Sequence, residues 1–176
     1  MPYSIAFVGV DGAGKTTLID KVSKKLELPK SHMNRWMKHL YWHQRSNIWE
    51  YLNTGEIHLR NKLWSRHLKS HSLLMDRCYI CSLVYSEIEG IPKDPIKVRK
   101  WAVQPDIICL IEPVEELVSH AYEFTRKYKQ VLRQEGYVPF RTGFHYFGRI
   151  TFWKKPSYQV DDILNFYIKK IGSHGL

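Results

Sequence analysis

Residues 9–17 read Gly-Val-Asp-Gly-Ala-Gly-Lys-Thr-Thr, a Gly-x-x-x-x-Gly-Lys-Thr pattern that constrains this chain more than any other feature. It follows a strand-like run from Tyr3 to Val8 and enters a helical pattern from Lys15 to Leu26. That context turns the pattern into a phosphate-binding loop, or P-loop. Gly9, Gly12 and Gly14 let the backbone turn and approach an anion with no Cβ in the way. The backbone of Asp11, Gly12, Ala13, Gly14, Lys15, Thr16 and Thr17 is expected to close around a phosphate chain at a helix N-terminus, where the dipole favours negative charge. Lys15, expected in an exposed loop, would reach the terminal phosphates, and the Thr16 hydroxyl would ligand Mg²⁺.

The remaining elements alternate between strand and helix patterns. A weak strand is expected within 31–37, a partly helical aromatic stretch over Tyr41–Asn53, and helical spacing over Glu56–Ser70. Leu73-Leu74-Met75 reads as a short buried strand ending in Asp76, followed by a helix over about 79–89 that Gly90-Ile91-Pro92 closes. A short helix over Asp94–Val103 precedes an apolar strand, Ile107–Ile111. Pro113 suits the first turn of a long helix reaching Glu135. Tyr146–Trp153 reads as the last strand and Ser157–Ile171 as the last helix. This order predicts an α/β, P-loop NTPase three-layer fold, a five-stranded parallel sheet covered by helices on both faces. The 176 residues predict a single kinase-sized domain without an internal linker.

Composition narrows the setting. No run of 18 apolar residues occurs, so no membrane span is expected. The P-loop strand begins almost at once, leaving no room for a signal peptide, and three cysteines suit reduced thiols in the cytoplasm. A net charge of +10 favours phosphate-rich partners: nucleotides, or a nucleic acid. Cys78-x-x-Cys81 lacks a second half and reads as buried core thiols. His39 and His43 lack a third ligand. Of Trp36, Trp42, Trp49 and Trp64, most suit a core and one suits stacking on a base.

Asp76 and Arg77 stand together where an apolar strand ends, the edge at which open α/β sheets bind ligands. An acid there can hold the Mg²⁺ shell. An arginine there suits a second phosphate, because its planar fork pairs with two oxygens.

With these residues in view the chain resembles the thymidylate kinase family of P-loop nucleoside monophosphate kinases. The carriers are the P-loop with its acid at Asp11, Leu74-Met-Asp-Arg-Cys-Tyr79, and Gln104-Pro-Asp-Ile-Ile-Cys-Leu-Ile-Glu-Pro113 with Val114-Glu-Glu-Leu117 behind it. Glu123–Leu132 resembles the helix after that family's lid, and the match runs over about 1–135. The resemblance implies ATP- and Mg²⁺-dependent phosphoryl transfer to a nucleoside monophosphate, dTMP to dTDP, by a cytoplasmic enzyme of nucleotide biosynthesis. It implies Lys15, Asp76 and Arg77 as catalytic, Thr16 and Asp76 around the metal, and Asp11, Arg35 or Arg45, Arg60 and Arg77 around the acceptor. Small-molecule nucleotides are the implied partners; a homodimer and a nucleic-acid contact stay open.

Three departures accompany the resemblance. The lid reduces to about Glu115–Tyr122 and carries no arginine, so Arg126, or else Arg133, Arg141, Arg149 or a partner subunit, would have to supply that charge. Ser86 and Glu87 occupy the region where the family has a glutamine near the base. The segment Phe140–Trp153 has no counterpart. Two rival readings remain: a P-loop kinase for a nucleoside or a nucleic-acid 5′-end, and a nucleotide-binding module with little turnover. A GTPase is disfavoured, because no Asn-Lys-x-Asp signature is present.

Overall fold

The computed structural model describes residues 2–32, 68–69, 71–90, 95–114, 116, 118–145 and 148–173. Its sheet grows outward from β1 (Ser4–Val8), in which every residue is buried. Ile5 and Phe7 face one core while Ala6 and Val8 face the other. A strand apolar on both faces belongs at the centre of a covered parallel sheet. β1 pairs in parallel with β3 (Leu73–Asp76) on one side and β4 (Ile107–Pro113) on the other. β2 (Lys30–His32) lies parallel to β3 at one edge.

Beyond β4 the sheet departs from expectation. β6 (Gly148–Lys154) runs antiparallel to β4, and β5 (Val138–His145) runs antiparallel to β6 as the far edge. Among the described residues the order is β2-β3-β1-β4-β6-β5, six strands and a mixed sheet in place of five parallel ones. The three-layer P-loop architecture holds; the strand count and the orientation of the last two strands are corrected. Only Gly143 of β5 is buried, and Pro139 and Gly143 interrupt its pattern, so the strand's sequence lacks an apolar run.

Helices cover both faces. On one, Leu18, Ile19 and Val22 of α1 (Lys15–Leu26) and Leu164, Ile168 and Ile171 of α5 (Asp162–Ile171) pack on Ile5, Phe7, Ile107, Ile111 and Phe152. On the other, α2 (Tyr79–Glu89), α3 (Pro95–Trp101) and α4 (Ala121–Gln134) cover Ala6, Val8, Met75, Ile108, Leu110 and Trp153. Each such aliphatic side chain contributes about 1.5–3 kcal/mol through burial.

Two helix starts also differ. Pro113 is the last residue of β4, and α4 begins only at Ala121, after His120 turns the chain at φ 61°. α5 begins at Asp162 because the Asp161 carboxylate accepts the Leu164 N–H at 2.7 Å and caps the helix. Among the described residues no helix is long and apolar enough to cross a membrane.

Candidate functional site

The carboxyl ends of β1, β3 and β4 lie side by side, and each delivers residues to one edge of the sheet. β1 releases the P-loop at Gly9, whose φ is 146°. A Cβ there would stand 2.7 Å from the Ile111 carbonyl oxygen. Gly9→Ala is therefore expected to lose about 2 kcal/mol or more, read by urea unfolding, because both the backbone and its neighbour oppose the methyl. A loss below about 0.5 kcal/mol would mean that the loop does not rest on β4.

Lys15 is not exposed. Its side chain is 6% accessible, and Nζ donates to the Gly9 carbonyl at 2.9 Å and the Val10 carbonyl at 2.7 Å. The Asp11 carboxylate lies 3.8 Å away. The correction has a simple cause. The loop carbonyls are the nearest acceptors for a lysine at the first position of α1, so the side chain curls under its own loop. Burial, reinforced by the charge of Arg77, pulls the ammonium down to about 8.

β3 ends in the buried Asp76, and the Thr16 hydroxyl donates to its Oδ2 at 3.4 Å. Arg77 follows in the left-handed region at φ 71°, its N–H bonded to the Phe7 carbonyl at 3.1 Å. For an arginine this conformation costs about 1–2 kcal/mol, and it folds the side chain back over the loop. The guanidinium pairs with the Asp11 carboxylate and lies 5.7 Å above the Tyr85 ring. Burial acts to raise the Asp11 carboxyl, but Arg77 and Lys15 outweigh it and hold the group below its ordinary range. A backbone-relief test follows: Arg77→Gly should be more stable than Arg77→Ala by about 1 kcal/mol in chemical unfolding.

Two contributors escaped the sequence. Tyr128 of α4 is fully buried, and its hydroxyl donates to the Gly9 carbonyl at 3.3 Å, the oxygen that also accepts Lys15. At the end of β4, Glu112 is 7% accessible and accepts from Lys129 at 2.5 Å, Arg149 at 3.1 Å and the Thr151 hydroxyl. Burial works against its charge, but these three donors prevail and hold the carboxyl below its usual range. The available signal was an acid closing the apolar run Ile107–Ile111.

Other sequence candidates divide. Arg126 is exposed on α4, Arg133 stacks 5.5 Å over the Trp153 ring, and Arg141 is half-buried on β5. The Ser86 hydroxyl donates to the Leu83 carbonyl, and Glu87 pairs with Lys127 at 2.9 Å. Cys78 and Cys81 are buried, consistent with core thiols. Arg35, Arg45 and Arg60 lie outside the described residues, as do His39, His43, Trp36, Trp42, Trp49 and Trp64.

No family model matches the chain. It is 25% identical over 169 residues to a probable thymidylate kinase 1 of Saccharolobus solfataricus, covering 84% of this chain and 87% of that one. It is 27% identical over 147 residues to a probable thymidylate kinase of Methanococcus maripaludis, covering 72% and 73%. Among solved structures, the thymidylate kinase from Ehrlichia chaffeensis superposes with a TM-score of 0.57 at 17% identity, covering 96% of each chain. NadR protein in complex with NR superposes at 0.59 and 19% identity, over 77% of this chain but 42% of that longer one. Fold and loop together define the class, a P-loop NTPase fold. Within that class the chain is similar to proteins named probable thymidylate kinase, at 25% and 27% identity, the family that its motifs resemble.

Proposed function

We propose that this protein is an ATP:nucleoside monophosphate phosphotransferase, with dTMP the acceptor that its relatives' names favour. The observation that supports it best is convergence. A P-loop lysine and an arginine in a forced conformation meet at the Asp11 carboxylate, and a hydroxyl–carboxylate pair, Thr16 and Asp76, stands at the same sheet edge.

In this reading the loop amides from Asp11 to Thr17 hold the triphosphate, and Lys15 leaves the Gly9 and Val10 carbonyls to meet the transferring phosphate. Tyr128 still satisfies the Gly9 oxygen after that move. The Thr16 hydroxyl and the Asp76 carboxylate, already paired, form the small hard-oxygen set that suits Mg²⁺ with phosphate and water as its other ligands. When bound, the ion supplies positive charge against the triphosphate. Arg77 exchanges Asp11 for the acceptor phosphate and holds it in line. Asp11, once relieved of Arg77, stands next to the acceptor's sugar. Positioning and charge neutralisation carry the rate, with little covalent chemistry asked of the protein.

The reading includes a single kinase domain with a short lid, a cytoplasmic setting and small-molecule nucleotide partners. Arg126→Ala is expected to change turnover less than twofold, because that side chain is an exposed helix residue. A loss of tenfold or more would make it the lid cation. The decisive experiment is a coupled assay over all nucleoside monophosphates with ATP and Mg²⁺, beside a thermal-shift screen of the same ligands. Phosphorylation of dTMP above the others supports the proposal. ATP binding with no transfer to any monophosphate would replace it with the binding-module reading. Transfer to a nucleoside or a nucleic-acid 5′-end instead would replace it with the other kinase reading.

A further inference from the structure

The pairing of β6 with β4 is antiparallel, so the start of β6 lies at the carboxyl edge of β4, on the P-loop side of the sheet. Gly148 stands opposite Pro113, and Arg149 opposite Glu112. Directly opposed residues of an antiparallel pair project from the same face. Glu112 follows Ile111, whose carbonyl backs Gly9, so the Glu112 cluster begins one residue from the root of the P-loop. Two strand spacings of about 4.8 Å separate β6 from β1, a gap that an arginine side chain can largely span.

The charges around this edge are unequally available. Arg77, on the β3 side of the loop, belongs to the acceptor in the proposed function and is tied to Asp11. On the β4 side Glu112 holds Lys129, 26% accessible, and Arg149, 51% accessible. A nearly buried carboxylate thus orients two cations while half the Arg149 side chain faces solvent. Glu112 balances one charge, leaving a net positive cluster on the β4 side of the loop, across β1 from Arg77. A guanidinium fixed at one nitrogen retains further N–H groups for a phosphate.

We propose that Arg149, held by Glu112 beside Lys129, is a donor-phosphate ligand that reaches the triphosphate from the β4–β6 side. It supplies from the hairpin the charge that the segment between β4 and α4 does not carry. This deepens the proposed function, since it assumes a triphosphate in the P-loop. It does not require the acceptor to be a nucleoside monophosphate.

A matched control is built into the fold. Arg99 is 46% accessible and pairs at 2.7 Å with Glu135, itself 7% accessible, beyond the far end of α4. It reproduces the Arg149–Glu112 arrangement away from the loop. The experiment measures ATP affinity by calorimetry, turnover by coupled assay and melting temperature, for wild type, Arg149→Gln, Arg149→Lys and Arg99→Gln. Arg149→Gln should weaken ATP about tenfold or more, Arg149→Lys should recover most of that loss, and Arg99→Gln should leave affinity within twofold of wild type. Equal ATP affinity in Arg149→Gln and wild type would overturn the inference, whatever the melting temperatures. So would equal loss in Arg149→Gln and Arg99→Gln, which would mark a purely structural ion pair. A wild type that binds ATP but phosphorylates no monophosphate would remove the proposed function and leave the affinity comparison to decide on Arg149. A wild type that binds no ATP would overturn both.

Discussion

Lys15→Met is expected to lower phosphoryl transfer by at least about 100-fold, the scale for removing one preorganised cation from a transferring phosphate. The same variant should reveal a cost in the resting protein. Lys15 is nearly buried, and desolvation lowers its ammonium from an ordinary 10.5 to about 8. Below pH 8 the lysine is charged in both folded and unfolded chains, and the folded state bears the full penalty. Between pH 8 and 10.5 the unfolded chain binds more protons than the folded one, so wild-type stability rises with pH across that window. Stability of wild type relative to Lys15→Met should therefore improve from pH 8 towards 10.5 in urea titrations. A flat difference would mean that Lys15 is solvated in solution. Near-normal turnover in Lys15→Met with normal ATP affinity would remove the P-loop from the mechanism.

Arg77→Ala should raise the KM for the monophosphate by roughly 30- to 1000-fold, corresponding to the roughly 2–4 kcal/mol of a charge-assisted, bidentate arginine–phosphate contact. The KM for ATP should move far less. The contrast is the point of the measurement, because Arg77 touches Asp11, and Asp11 also lies 3.8 Å from Lys15. Alanine retains the Cβ that opposes the left-handed backbone at this position, so any loss of stability in the variant reports the broken ion pair and not a change in backbone strain. Equal weakening of both substrates, or of ATP alone, would place Arg77 on the donor and move the acceptor elsewhere.

The elements that carry the P-loop were legible for a physical reason. β1, β3 and β4 are buried on both faces, so each contains an unbroken apolar run, Ile5–Val8, Leu73–Met75 and Ile107–Ile111. The ligand-facing residues follow immediately, as Gly9 follows Val8 and Arg77 follows Asp76. Local sequence and tertiary role coincide there. They part company in the last third. Pro113 has the φ that suits a helix start, yet seven residues of pairing with β6 keep it in a strand. β5 is an edge with mostly exposed side chains, so no periodicity announces it. Lys15 looked exposed because a loop lysine usually is. Its burial depends on the Gly9 and Val10 carbonyls, whose direction is a matter of backbone conformation that residue types do not encode. Glu112 was passed over because its partners, Lys129 and Arg149, lie on α4 and on a strand of unexpected direction.

The central position of β1 governs the order in which this protein can be made. Ser4 bonds to Asp106, a separation of 102 residues, and Gly9 rests against Ile111. Contacts that distant form late, because closing so long a loop has to precede any gain from the pairing. As the chain leaves the ribosome, every residue of the phosphate-binding loop is present long before the strand that backs it. A fragment ending at Trp101 would contain the whole P-loop together with Asp76 and Arg77, yet β1 would have an open edge where β4 belongs. Nucleotide affinity should therefore appear abruptly in a series of nested C-terminal truncations, once β4 is included. A second rise should come only with β6, which brings Arg149 to the same edge.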